Sequence, residues 1–401
     1  MTPRLRSIAR AAFTALVLAS CRGITNADSG VNARTTLSPV EVAGGGSWSA
    51  VSAGFQHSCA LDASGTAKCW GSNQYGQLGA ESGSIGCADV PTCSRQPLAV
   101  SGQRTFVRIA SGITHTCALT ATGEAWCWGG GYETADAGFL GNGALSKSVV
   151  PVRVTSDSAF VDIAVGVMNT CALTVSGQLF CWGANSRGEL ADGTQQARRA
   201  PVASAGALRF TQVTMGTEHA CAATSAGVAY CWGHNRFGQL GSGEVPNNSF
   251  GLYATLPIAV SGGEMYTRIA AGSDHTCALT RAGVVQCWGA NGNASQLGDR
   301  SMVTQRGVPR AIADGRTFTV LAAGANTNCA RASDSASYCW GSNFFGALGN
   351  GSRSDAGVNY PVAVSGGTFA KLAVGGSHSC GIDASQRLYC WGDSQYGQTG
   401  R

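Results

Sequence analysis

The 401-residue chain carries 27 Lys and Arg against 22 Asp and Glu, a net charge of +5. Setting aside Arg4, Arg6 and Arg10 near its start leaves 24 − 22 = +2. With so even a balance and no basic stripe, nucleic acid or another polyanionic surface is not implied, and no nucleic-acid partner is expected.

Residues 1–20 run from these arginines through an apolar stretch, Ala11 to Ala19, into small residues. That pattern predicts a secretory signal, too short to span a bilayer, which takes about 20 apolar residues. Its end, Leu18-Ala19-Ser20-Cys21, resembles a bacterial lipobox, so residues 1–21 read as a lipoprotein-type signal with Cys21 the lipidated residue. The alternative is ordinary cleavage nearby, with Cys21 a free thiol. Residues 22–37 lack periodicity and aromatics and read as a flexible tether. The expected location is the cell envelope, lipid-anchored at the outer membrane or cell surface, with membrane contact only through the lipid.

From residue 38 to residue 401 one unit returns seven times. Its most regular part is CALDASGTAKCWG at Cys59 to Gly71, which comes back with first cysteines at Cys117, Cys171, Cys221, Cys277, Cys329 and Cys380. The paired cysteines always stand ten positions apart. Upstream lie an aromatic (Trp48, Phe106, Phe160, Phe210, Tyr266, Phe318, Phe369), an aliphatic residue and then a glycine (Gly54, Gly112, Gly166, Gly216, Gly272, Gly324, Gly375). Trp-to-Trp steps of 58, 54, 50, 56, 52 and 51 residues place the length differences in loops.

Each copy reads as short alternating strands joined by turns. A hairpin centred on residue 64 sets Cys59 opposite Cys69, Leu61 opposite Ala67 and His57 opposite Gly71. Glycine holds the turn in five copies, as a φ > 0 position requires, whereas Ser335 and Gln386 stand there at some cost. Directly opposed strand residues are close enough for a disulfide. The expected bridges are therefore Cys59–Cys69, Cys117–Cys127, Cys171–Cys181, Cys221–Cys231, Cys277–Cys287, Cys329–Cys339 and Cys380–Cys390. Cys87 and Cys93 are expected to staple an insertion. Zinc is the competing reading, but it lacks the short C-x₂₋₄-C spacing of structural sites, and no metal or cofactor is expected.

After each Trp-Gly comes a glycine-rich segment such as Gly233-His-Asn-Arg-Phe-Gly-Gln-Leu-Gly241, then a Pro-led strand. The whole pattern resembles the repeat of the regulator of chromosome condensation family, over nearly all of residues 38–401. The resemblance implies an all-β, seven-bladed β-propeller with one repeat's worth of chain per blade. The paired cysteines depart from the intracellular members and suit an exported version. The last copy lacks a Pro-led strand after it, while Ser38 to Gly44 supplies one before Trp48. Residues 39–43 are therefore expected to pair in the blade of Cys380 and Cys390, closing the ring through both ends of the chain and removing a sheet edge.

Function is less legible. Nucleotide exchange on a small GTPase is implied by family resemblance only, and a shared fold does not carry an activity across. A secreted member of the same fold that inhibits β-lactamases is a nearer parallel. His57, His115, His219, His275 and His378 recur at one place in the copies and read as packing residues, not catalysts, with only His234 outside the pattern. No nucleophile elbow, metalloprotease motif or phosphate-binding loop is present. The expectation is a monomeric, non-enzymatic scaffold that binds a protein or glycan. The alternatives are an enzyme with a site assembled across blades near the axis, or an inhibitor of a secreted enzyme. The copies differ most in the two residues before each His position, so the candidate binding face is Phe55, Gln56, Ile113, Met168, Glu218, Asp274 and Asn326. Ordinary exposed turns are the other reading of these positions. The insertions at residues 80–96, 131–139 and 244–254 are rival contact surfaces.

Overall fold

The computed structural model describes residues 35–401, apart from 81–86, 88–91, 132–137, 145–146, 244 and 246–252. The signal, Cys21 and most of the three insertions lie outside the described residues. Strands follow one another in the order the alternation predicts. Strand β2 (Trp48–Ala53) pairs with β3 (His57–Asp62), β3 with β4 (Ala67–Ser72) and β4 with β5 (Cys93–Ala99), all antiparallel. Five more four-stranded sheets repeat this order through β25 (Ser354–Ala363), and a seventh combines β26 (Phe369–Val374), β27 (His378–Asp383), β28 (Leu388–Asp393) and β1 (Thr35–Glu41). The first strands of successive sheets contact one another around a closed ring, β26 meeting β2. The fold is an all-β, seven-bladed propeller closed by pairing of the two ends of the chain.

Register within the hairpins follows from the turn. Cys59 faces Cys69, Leu61 faces Ala67 and His57 faces Gly71. The turn position is left-handed in all seven copies, including Ser335 at φ 76° and Gln386 at φ 63°. A disulfide bridges the second and third strands of every blade, with Cα atoms 4.1 Å apart. That spacing matches the narrow, non-hydrogen-bonded kind of pair. Cys87 and Cys93 are also bridged. Strand β1 begins at Thr35, three residues before the boundary drawn from the repeat, because Thr35 and Thr36 continue the ladder opposite Asp393 and Gly392.

The core lies between blades. Leu61 and the Cys59–Cys69 bridge of blade 1 pack on Phe106, Ala118 and Trp128 of blade 2, and equivalent clusters follow round the ring. Each repeat tryptophan is fully buried, and its Nε1–H donates to a backbone carbonyl in the glycine-rich loop of the preceding blade. Trp128 bonds Gln77 O at 3.0 Å, Trp288 bonds Gln239 O at 2.9 Å, and Trp70 bonds Gln398 O at 3.0 Å across the closure. One side chain thus supplies both a large apolar surface and the polar latch that keeps its indole satisfied. The repeated Trp-Gly therefore works as an inter-blade contact.

Candidate functional site

The end of the axis where each first strand turns into the second is built on the seven repeat glycines. A Cβ placed on any of Gly54, Gly112, Gly166, Gly216, Gly272, Gly324 or Gly375 would stand within 3.1 Å of the next glycine's carbonyl oxygen, and Gly375 meets Gly54. Only glycine permits so close an approach, and the backbone forms a tight collar there.

The two residues after each of these glycines are held by the main chain. Phe55 N donates to Gly112 O at 3.0 Å and Ala325 N to Gly375 O at 3.0 Å, tying a turn to its neighbour. The carbonyl of the second turn residue accepts from the residue after Trp-Gly in its own blade, as Gln56 does from Ser72 and Glu218 from His234. These bonds fix the backbone whatever the side chains are. Phe55, Gln56, Ile113, Met168, Glu218, Asp274 and Asn326 are all brought to this one ring, each half-buried. Blades 1 to 3 present an apolar arc of Phe55, Ile113 and Met168, with Val167 buried, and blades 4 and 5 an acidic one.

The recurring histidines lie just beneath. Each is at most 1 % exposed, and its ring rests over a collar glycine where that contact is close, as His57 does over Gly54. His57 Nε2 lies 2.9 Å from Thr116 Oγ1, a residue of the next blade whose hydroxyl donates to Gln77 O. The threonine oxygen must then accept from the imidazole, which fixes the Nε2–H tautomer. His115–Thr170, His219–Thr276, His275–Asn328 and His378–Ser58 repeat the bridge at 2.8–3.0 Å. Burial drives these imidazoles well below their ordinary range, His57 and His219 to about 3 and the other three to about 4. Neutral and locked in one tautomer, they are structural bridges between blades.

The acidic arc gathers more than the turns. Glu218 Oε2 lies 3.4 Å from His234 Nδ1 and 4.0 Å from Arg187 Nε. Gln239 Nε2 donates to Asp274 Oδ1 at 3.5 Å. Burial, and then the charge of Glu218, pushes Glu189 up to about 7 and Asp274 up to about 6. Burial and then Arg187 and Arg236 lower His234 to about 4. Among the described residues no group of three or more His, Cys, Asp or Glu is arranged to hold a metal ion. Glu189 and His234 were not among the expected site residues. The signal for both was present: Glu189 stands where Gln77, Gln239, Gln296 and Gln398 stand in other copies, and His234 where Ser, Gly, Ala and Asp do.

A model of the RCC1-like domain matches residues 131–401, and models of the regulator of chromosome condensation (RCC1) repeat match residues 48–77, 106–133 and 65–119. The ultraviolet-B receptor UVR8 of Arabidopsis thaliana is 28% identical over 358 residues, 87% of this chain and 66% of its own length. The human E3 ubiquitin-protein ligase HERC2 is 31% identical over 342 residues, 82% of this chain but 6% of its own. This chain thus spans less than two thirds of either relative. Among solved structures, human WBSCR16 superposes with a TM-score of 0.72 at 20% identity, covering 87% of both chains. Yeast RCC1 (Prp20), solved with Kap60, gives 0.71 at 21%, covering 86% of this chain and 80% of its own. Those two likenesses establish the propeller; the family models go further. With seven copies of the repeat closing one such ring, the chain belongs to the RCC1-like domain family of regulator of chromosome condensation repeats.

Proposed function

We propose that the protein is a binding scaffold that engages a protein partner through the collar end of the propeller. One observation carries this reading. Seven nearly identical backbone turns, locked by main-chain bonds, present seven different side-chain pairs on one rigid face. A rigid frame costs little order on binding, and side-chain variety on it is where specificity resides. The apolar arc offers Phe55 as an aromatic anchor, the kind of group that dominates interface energies. Prp20p of Saccharomyces cerevisiae, a structural neighbour studied for its binding to Gsp1p and histones, is a precedent for partner binding by this fold. Enzymatic activity is not part of the proposal.

Capture of interacting proteins with the intact mature domain tests the reading. The paired variant Phe55→Ala, Met168→Ala is expected to lose the captured partner while its unfolding midpoint stays close to wild type. Undiminished capture would move the binding surface elsewhere, to the insertions or the outer strands, and recovery of a glycan in place of a protein would correct the partner class. The same proposal places the scaffold outside the cell on a lipidated Cys21, supported by the signal-like start and the disulfide in every blade. Cys21→Ala should then release the protein from the membrane fraction, and continued retention would refute the anchor.

A further inference from the structure

The fold does not need the charges around Glu218: Glu189 Oε2 accepts from Arg187 N at 2.8 Å, a loop bond that Gln77 makes to Tyr75 N without a charge. Other copies fill the Glu189 position mostly with glutamine and the His234 position mostly with serine, glycine or alanine. Glu218 and Asp274 occupy turn positions held elsewhere by Gln56, Thr114, Met168, Asn326 and Ser377, all uncharged. Four departures from the repeat, from three consecutive blades, nevertheless meet at one spot. Glu189 comes from blade 3, Glu218 and His234 from blade 4, and Asp274 from blade 5.

Their charges are not balanced there. Glu218 repels both Glu189 and Asp274, and the cations facing these carboxyls are Arg187, beside Glu189, and Arg236, beside Asp274. His219, the remaining titratable neighbour of His234, is neutral and committed to Thr276. His234 is only 8% exposed, yet its Nδ1 has no hydrogen-bond partner despite the nearby Glu218 oxygen, and the Arg187 Nε is likewise unpaired. An unmatched ring nitrogen beside the Glu218 carboxylate, to which two further carboxyls are coupled, leaves acceptor capacity for one more cationic group.

We propose that Glu189, Glu218, His234 and Asp274 form a subsite of the collar face for one cationic side chain, ammonium or guanidinium, of a protein partner. This deepens the scaffold reading and rests on it. The partner fits the face as a whole: an apolar patch for Phe55, Ile113 and Met168, with a basic residue beside it. Binding has a proton signature. A cation favours the ionised carboxyls, so Glu189 and Asp274 give up protons as it enters, and affinity rises as pH rises from about 5.5 to about 8.

The probe is N-acetyl-arginine amide, with uncharged N-acetyl-citrulline amide as control, titrated into the intact disulfide-bonded protein by NMR and calorimetry. The arginine probe is expected to bind at least about tenfold more tightly than citrulline, to weaken on acidification, and to release protons in a buffer-dependent heat. Glu218→Gln and Asp274→Asn should each abolish that preference. Glu189→Gln and His234→Ser install residues that other blades already carry at these positions, so they should fold normally and weaken the probe several-fold. Equal binding of citrulline, no binding of the arginine probe, or wild-type affinity in folded Glu218→Gln would each overturn the subsite. If partner capture then persisted and still depended on Phe55, the scaffold reading would stand without it.

Discussion

Acidification from pH 7 to pH 5 is expected to weaken the propeller while leaving its disulfides intact. Five imidazoles are buried as neutral bridges, with folded values near 3 to 4 against an ordinary 6.5. The sign follows from where the proton goes. The unfolded chain takes up protons below about 6.5 and the folded chain does not, so this stability is fully present above 6.5 and falls with pH towards 4. At pH 5 each histidine costs about 1–2 kcal/mol, or about 5–10 kcal/mol for the five together. Glu189, Asp274 and Asp393 act in the opposite sense. Their raised values, about 7, 6 and 6, penalise the folded state at neutral pH, and acidification relieves them. That relief is worth about 4–5 kcal/mol over the same interval, so a net loss of several kcal/mol remains. Guanidinium unfolding at pH 7, 6 and 5 should show the midpoint falling. His115→Asn, the residue blade 3 already uses as Asn169, should cost about 1 kcal/mol at pH 7 for the lost bond to Thr170 and flatten the dependence. A midpoint unchanged between pH 7 and pH 5 would show that these imidazoles do not govern acid stability.

The periodicity that made the blades readable also hid the contacts between them. Strand order, hairpin register, the cross-strand cysteines and the closing strand all follow from spacings within one copy, or from comparing the two ends of the chain. The bridges depend on which residue of one copy faces which residue of the next, and spacing is silent on that. His57 looked like packing over Gly71, which it does face, but its Nε2–H is spent on Thr116 in the adjacent blade. The pairing leaves a trace once the adjacency is known. Where blade 3 has Asn169 in place of histidine, blade 4 has Ala220 in place of the hydroxyl acceptor, so donor and acceptor are lost together. The seven turn residues of the candidate face were legible because variation at fixed backbone geometry marks positions the fold does not need. Glu189 and His234 were missed because each looks like a single irregular copy until the ring sets them around Glu218.

Removing the first strand is expected to unfold the ring more severely than any single substitution. Strand β1 closes the seventh blade, with Val40 opposite Cys390 and Glu41 opposite Tyr389. Beyond the ladder, Val42 N donates to Leu388 O at 2.9 Å and Ala43 N to Gly400 O at 3.0 Å, while Arg401 Nε reaches Glu41 O at 2.8 Å. Val42 is 2% exposed and packs with Trp48, Ala60 and Trp70 of blade 1 and with Ile382 and Leu388 of blade 7, so it seals the seam between first and last blades. Burying that side chain contributes about 2 kcal/mol, and each hydrogen bond lost adds about 1 kcal/mol. The same segment is tied to the sixth blade, where Gly351 N donates to Leu37 O at 2.9 Å. A variant lacking residues 22–34 should therefore melt within a degree or two of wild type, since β1 starts at Thr35. A variant lacking residues 22–46 should lose at least about 5 kcal/mol, expose β28 as an unpaired edge and aggregate on heating. Adding a peptide of residues 35–46 back to it should recover part of the lost stability, because the strand completes a sheet already formed on its other side. Equal melting of the two variants would mean that the last blade holds without its borrowed strand and that the ring is kept shut by the collar and the tryptophan latches alone.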